Sequence, residues 1–154
     1  MANTQALCNS FKSEVMTAIH ALGTTVARGG TTKDTVKAAF YYASATVNYD
    51  TTAYSATGEV ATSGDYSAGG ATVTNANAPA NGSGASGKAY WTPSASIAFT
   101  GVTWVAFDAL LLYNSTQSNK GIGVFTFGSQ TVTAGNVTLS MPTNDATTGL
   151  IRLA

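Results

Sequence analysis

The chain has 154 residues with seven basic and seven acidic side chains, so its formal net charge is zero and only 9% of it is charged, against about 25% in an ordinary soluble domain. A free-standing domain of this size usually carries a net charge of about 2 to 8, so this balance points to a subunit packed into something larger. The seven cations (Lys12, Arg28, Lys33, Lys37, Lys88, Lys120, Arg152) are scattered, which excludes the basic footprint of a nucleic-acid partner.

The first expected element is a helix over about residues 5 to 22. Leu7, Phe11, Val15, Ala18, Ile19 and Leu22 recur at steps of three and four, the spacing of one helical stripe, and Gly23 supplies a C-terminal stop. Residues 1–30 are expected to form a helical arm, and 24–35 a connector with at most one short strand. From Val36 the period changes to two. Val36, Ala38, Phe40 and Tyr42 alternate with Lys37, Ala39 and Tyr41, which predicts a strand with one apolar and one mixed face.

Residues 48–70 read as loops and short strands, with turns at Gly64, Gly69 and Gly70. Asn77 to Gly87, rich in Gly, Ser, Ala and Asn, reads as a mobile loop. The remainder is expected to form about five short strands. The apolar run Asp108–Tyr113 precedes a polar turn at 114–121; Ile122–Gly128 follows, then a Gly-Ser-Gln turn, then Val137–Pro142. Thr and Ala make up about a third of the chain, and the Thr share favours strands. The expected fold is mainly β: one antiparallel β-sandwich domain over 1–154, jelly-roll or immunoglobulin-like, with an N-terminal α-helix.

Candidate chemistry is sparse. Gly82-Ser-Gly-Ala-Ser-Gly87-Lys88-Ala89 approaches a phosphate-binding loop, but Ala89 stands where that motif needs a hydroxyl. The lone His20 and lone Cys8 suggest a base and nucleophile only if an orienting group and an oxyanion site join them; a helix-surface or interface histidine is the expectation. The carboxylates Glu14, Asp34, Asp50, Glu59, Asp65, Asp108 and Asp145 are spread along the chain, leaving a glycosidase pair to chance meetings in space. Asn48-Tyr-Asp50 lacks the other ligands of a calcium loop and reads as a turn. No catalytic residue, metal or cofactor is expected.

Tyr90, Trp91, Phe99, Trp104 and Phe107 are the densest aromatic region, and strand alternation favours core over binding surface. Leu7, Phe11, Val15, Ile19, Leu22, Trp91 and Trp104 are the interface candidates. The longest apolar run, Gly101–Tyr113, is too short to span a membrane as a helix. The first residues do not open as a signal peptide, and a single cysteine forms no internal disulfide, so assembly in a cytoplasm is expected. The sequons at Asn81, Asn114 and Asn136 then carry little weight.

The order Phe11-Lys-Ser-Glu14, Phe40-Tyr-Tyr, Thr52-Ala-Tyr54-Ser-Ala-Thr-Gly-Glu59-Val60, Gly64-Asp-Tyr66-Ser-Ala-Gly-Gly70, Ala109-Leu-Leu-Leu-Tyr-Asn114, Phe125-Thr-Phe-Gly128 and Ile151-Arg-Leu-Ala154 resembles a family of small tailed-bacteriophage structural proteins. The likeness runs over nearly the whole chain. It implies a non-enzymatic virion protein assembled in the host cytoplasm, forming homo-oligomers and contacting the major capsid protein or neck and tail proteins. A capsid decoration or cement role comes first. A neck or tail component, such as an adaptor or fibre-attachment subunit, is the alternative, and a receptor- or carbohydrate-binding module using the Trp91–Phe107 region is a third.

Overall fold

Leu110, Leu111 and Leu112 show how the sheet is used. Neighbouring residues of a strand face opposite ways, yet all three are at most 2% exposed, so the strand that carries them is covered on both sides. In the computed structural model, which describes residues 2–24, 32–82 and 87–154, that strand is β6 (Ile97–Asn114). It turns through 115–119 into β7 (Lys120–Leu139). Ser118 and Asn119 both take left-handed φ, 53° and 58°, and the polar turn lies where the sequence places it.

Among the described residues two antiparallel sheets result, with one short helix, so the chain is mainly β as expected. The larger has the order β1 (Ala6–Leu7), β7, β6, β2 (Val36–Tyr42), β3 (Ala71–Thr72). The smaller joins β4 (Ala80–Asn81), β5 (Ala89–Trp91) and β8 (Ile151–Leu153). Trp91 and Ile151 from the small sheet and Phe11 from the helix belong to the same buried cluster as the large sheet. Six aromatic rings, Phe40, Tyr66, Phe99, Trp104, Phe107 and Phe127, meet at centroid separations between 4.9 and 6.3 Å. All of these pairs but Phe40–Trp104 meet edge to face, and each edge-to-face pair adds about 0.5–1.5 kcal/mol beyond burial.

Several expectations are corrected. The helix α1 covers Asn9–Met16 only, because Ala18 adopts a left-handed φ of 54°. Ala18 N–H donates to the Val15 carbonyl and Ile19 N–H to the Glu14 carbonyl, both at 3.0 Å, the paired bonds of a Schellman stop. Leu7 lies outside the helix, on β1, paired opposite Gly123. Gly23 therefore ends no helix. It holds a φ of 81°, and a Cβ there would sit 2.4 Å from the Asn77 carbonyl oxygen.

The mixed face expected for β2 is largely buried, since Ala38 to Tyr41 are all at most 2% exposed. The Gly-Ser-Gln turn is a bulge: β7 continues through it, and Phe127, Gly128 and Ser129 stand against the single residue Asp108 of β6. Gly128 takes a φ of 76° as the left-handed member of that bulge. Strands expected as separate, short pieces are thus one long ladder, and Met141 and Pro142 fall beyond its end. The expected loop 77–87 contains β4; residues 83–86, and residues 25–31 of the expected connector, lie outside those described.

Candidate functional site

The ionisable residues that looked scattered in sequence meet inside the fold. α1 carries Glu14, the Schellman stop turns the chain back so that His20 faces it, and the end of β6 carries Asn114. His20 Nε2 lies 2.8 Å from Glu14 Oε2, and Lys120 Nζ donates to Glu14 Oε1 at 2.5 Å. On its other side, His20 Nδ1 lies 3.0 Å from Asn114 Nδ2, which also donates to Asp34 Oδ2 at 2.6 Å. Asp34 takes further bonds from Ala21 N–H at 2.8 Å and from Gln117 Nε2 at 3.1 Å.

The protonation pattern follows from one residue. Asn114 Oδ1 accepts from the backbone N–H groups of Thr116 and Gln117, both at 3.2 Å, so its amide nitrogen must point to His20. A nitrogen that receives a donor is the acceptor of its ring. His20 Nδ1 is therefore unprotonated, and Nε2–H donates to Glu14. Both ring nitrogens are occupied by the protein, and Phe11 packs on the ring at 4.9 Å. The arrangement braces Glu14, His20, Ala21 and Asp34 to the β6–β7 turn.

Burial raises the Glu14 carboxyl, but the hydrogen bonds from Lys120 and His20 outweigh it and hold the group below the ordinary 4.5. Cys8, fully buried, has its thiol pushed up to about 11 by loss of water. No contact joins it to His20 among those found between described residues, and a thiol so raised is a poor nucleophile.

A second cluster surrounds Glu59, which is 8% exposed. Tyr54 and Tyr66 hydroxyls donate to it at 2.6 and 2.7 Å, and Gly69 N–H at 2.8 Å. Burial, and the adjacent carboxylate, raise both phenols well above the ordinary 10. Tyr113 stacks on Tyr54 at 4.7 Å and donates to the Gly69 carbonyl at 2.5 Å. This cluster fastens the 54–69 loop to the sheet.

The interface candidates separate. Phe11, Trp91 and Trp104 are at most 2% exposed and belong to the chain's own core. Trp91 donates to the Asn77 carbonyl and Trp104 to the Ala61 carbonyl, at 3.0 and 2.9 Å. Leu7, Val15 and Leu22 are partly buried against that core, and Ile19 is half-buried. An apolar cleft of about 390 Å³ opens between α1 and the small sheet, lined by Phe11, Val15, Leu22, Tyr90, Trp91 and Ile151 among others. Phe99 and Phe107 are also interior, so the Trp91–Phe107 region is not the exposed platform that a carbohydrate-binding role requires.

His20 is likewise no helix-surface residue; its side chain is 1% exposed. Asn114 was legible only as a sequon, and its buried amide is fully engaged. Asn48–Asp50 forms the expected turn, with Asp50 N–H donating to Asn48 Oδ1 at 2.8 Å. Among the described residues no group of three or more His, Cys, Asp or Glu side chains is placed to hold a metal ion, and no helix is long and apolar enough to cross a membrane. The phosphate-loop candidate has residues 83–86 outside the described part; Ala89 after it opens strand β5, where that motif calls for a helix.

No protein-family model, curated protein or solved structure matches the chain.

Proposed function

We propose that this chain is a non-enzymatic structural subunit of a tailed-bacteriophage virion, working through contacts with neighbouring protein as a decoration or cement protein of the head. The observation that carries the reading is the outer surface of the β6–β7 ladder. Residues 97–107 and 121–139 contain no charged side chain, and Thr100, Thr103, Val105, Thr131, Thr133 and Thr138 are exposed along them. Such a face offers neutral hydrogen bonds and small apolar patches to a protein neighbour, contacts that salt screens little. The buried carboxylates Glu14, Asp34 and Glu59 and the lone histidine are spent on holding loops to the sheet, which supports the same reading.

The test is to count copies by quantitative mass spectrometry of purified particles of a phage that encodes the chain. A number matching the capsomers or their junctions is expected, with particles lacking the protein assembling but losing DNA at lower temperature. A handful of copies per particle would overturn the head assignment in favour of neck or tail. Absence from particles would overturn the virion reading.

A further inference from the structure

β7 lies between β1 and β6, but β1 covers its outer edge only at Gly123 and Val124. Beyond that point Gln5 reaches Thr126 N–H at 3.4 Å, and among the described residues no strand or bridge follows. The edge from Phe127 to Leu139 is therefore open. Open edges present unpaired N–H and C=O groups to other chains, and proteins guard them with charge, proline, bulges or a covering segment.

Charge and proline are absent here: no charged residue stands between Lys120 and Asp145, and no proline stands between Lys120 and Pro142. Two bulges bend the edge, at 127–129 and beside Ala134, whose φ is 46°. The run Gly135–Leu139 lies beyond both, the extra residue opposite Asn136 belonging to β6 at Thr100–Gly101, and five residues is an ordinary strand length. Beside it runs a groove of about 460 Å³ lined by Phe40, Phe107, Phe127, Val132, Val137 and Leu139. Phe127 is 40% exposed at its rim, so the open edge and an open apolar surface adjoin.

We propose that Gly135–Leu139 is a self-association edge, pairing antiparallel with the same run of a second copy about a two-fold axis near Val137. The occupant follows from charge. In an isologous pair about Val137 that residue faces itself and 136 faces 138, so a charge at 137, or the same charge at 136 and 138, would repel the second copy. This run has none, the nearest being Asp65, held one strand away on Thr100 of β6, and a net charge of zero favours association of like chains. Pairing extends the large sheet through β7 into its partner and covers the Val137–Leu139 side of the groove. This goes beyond the virion reading and does not depend on it.

In such a pair Asn136 faces Thr138 of the other copy. Both are exposed and neither side chain makes a hydrogen bond among those found, so their replacement spares the fold. Light scattering and sedimentation of the purified full chain should give twice the 15.6 kDa chain mass. Asn136→Lys with Thr138→Lys puts two like-charge pairs across the axis and should weaken the dimer about tenfold. Asn136→Glu with Thr138→Glu should do the same, and mixing the two variants should restore association as a mixed dimer. A wild-type monomer at concentrations well above micromolar, or a dimer that both charge variants leave unchanged, would overturn the proposal. Copy number in particles is read separately, so a monomer that is nonetheless found in virions sinks this inference alone.

Discussion

Asn114→Leu tests the brace at its central residue. Asn114 is fully buried, and leucine has nearly its shape but cannot hydrogen-bond. The replacement removes the donor to Asp34 at 2.6 Å and the donor to His20 Nδ1 at 3.0 Å. It also frees the N–H groups of Thr116 and Gln117. A bond to a charged group contributes about 1.5–3 kcal/mol, and a buried ring nitrogen left without a partner costs about 1–3 kcal/mol. The exposed turn lets water replace the two backbone bonds, and leucine recovers part of the loss by apolar burial. A net destabilisation of about 3 kcal/mol remains. For a chain of this length it lowers the unfolding midpoint by about 6–12 °C, which calorimetry or urea titration followed by circular dichroism measures directly. A loss below about 1 kcal/mol would show that the Glu14–His20–Asn114–Asp34 chain is not braced as its distances say.

Acidification should remove stability by way of Glu14. Its folded-state carboxyl lies below the ordinary 4.5, so its contribution is complete above that value and is lost as the pH falls through the lower folded one; Glu14→Gln should flatten that acid limb in a pH series of urea midpoints. Ala18→Gly should raise stability by about 0.5–1 kcal/mol, because the left-handed Schellman position costs alanine about 1–2 kcal/mol and glycine returns part of the gain as chain entropy. Gly23→Ala should lower it by more than 1 kcal/mol, since the new Cβ would lie 2.4 Å from the Asn77 carbonyl oxygen; a neutral outcome in thermal unfolding would contradict the close approach.

The strands were legible where one side-chain rule decided them. Ala109-Leu-Leu-Leu-Tyr113 is too apolar for any surface, and the polar residues after it had to turn. The N-terminal stripe was legible in burial but not in conformation. Phe11 and Val15 do lie on a helix facing the core, whereas Leu7 reaches the same core from a strand and Leu22 from beyond a Schellman stop that no glycine announces. Ala18 gave no signal, because its left-handed φ is imposed by tertiary contacts around Glu14 and His20. The bulge at Gly128 read as a turn for a related reason: a glycine marks a change of direction, and only pairing with the opposite strand determines whether the chain reverses or continues. The polar clusters were invisible. Glu14, His20, Asp34, Asn114 and Lys120 are brought together by the β6–β7 turn and by β2, and no local spacing encodes that meeting.

Where the chain puts its few charges bears on how it meets other proteins. Three of its seven carboxylates, Glu14, Asp34 and Glu59, are buried, each held by several donors, so electrostatic free energy is spent on internal tethers. The long ladder that faces solvent has mostly hydroxyls and small apolar groups instead, with Asp108 half-buried in it and Asp65 held on Thr100. Burying a charge at an interface requires its own compensation; burying a threonine requires one neutral partner. A surface of this kind associates through shape, backbone pairing and apolar contact. Its affinity should therefore change little between low and high salt, because no opposed charges are there to be screened. Binding that fell steeply with added salt would place the contact on the scattered lysines and carboxylates and away from β7.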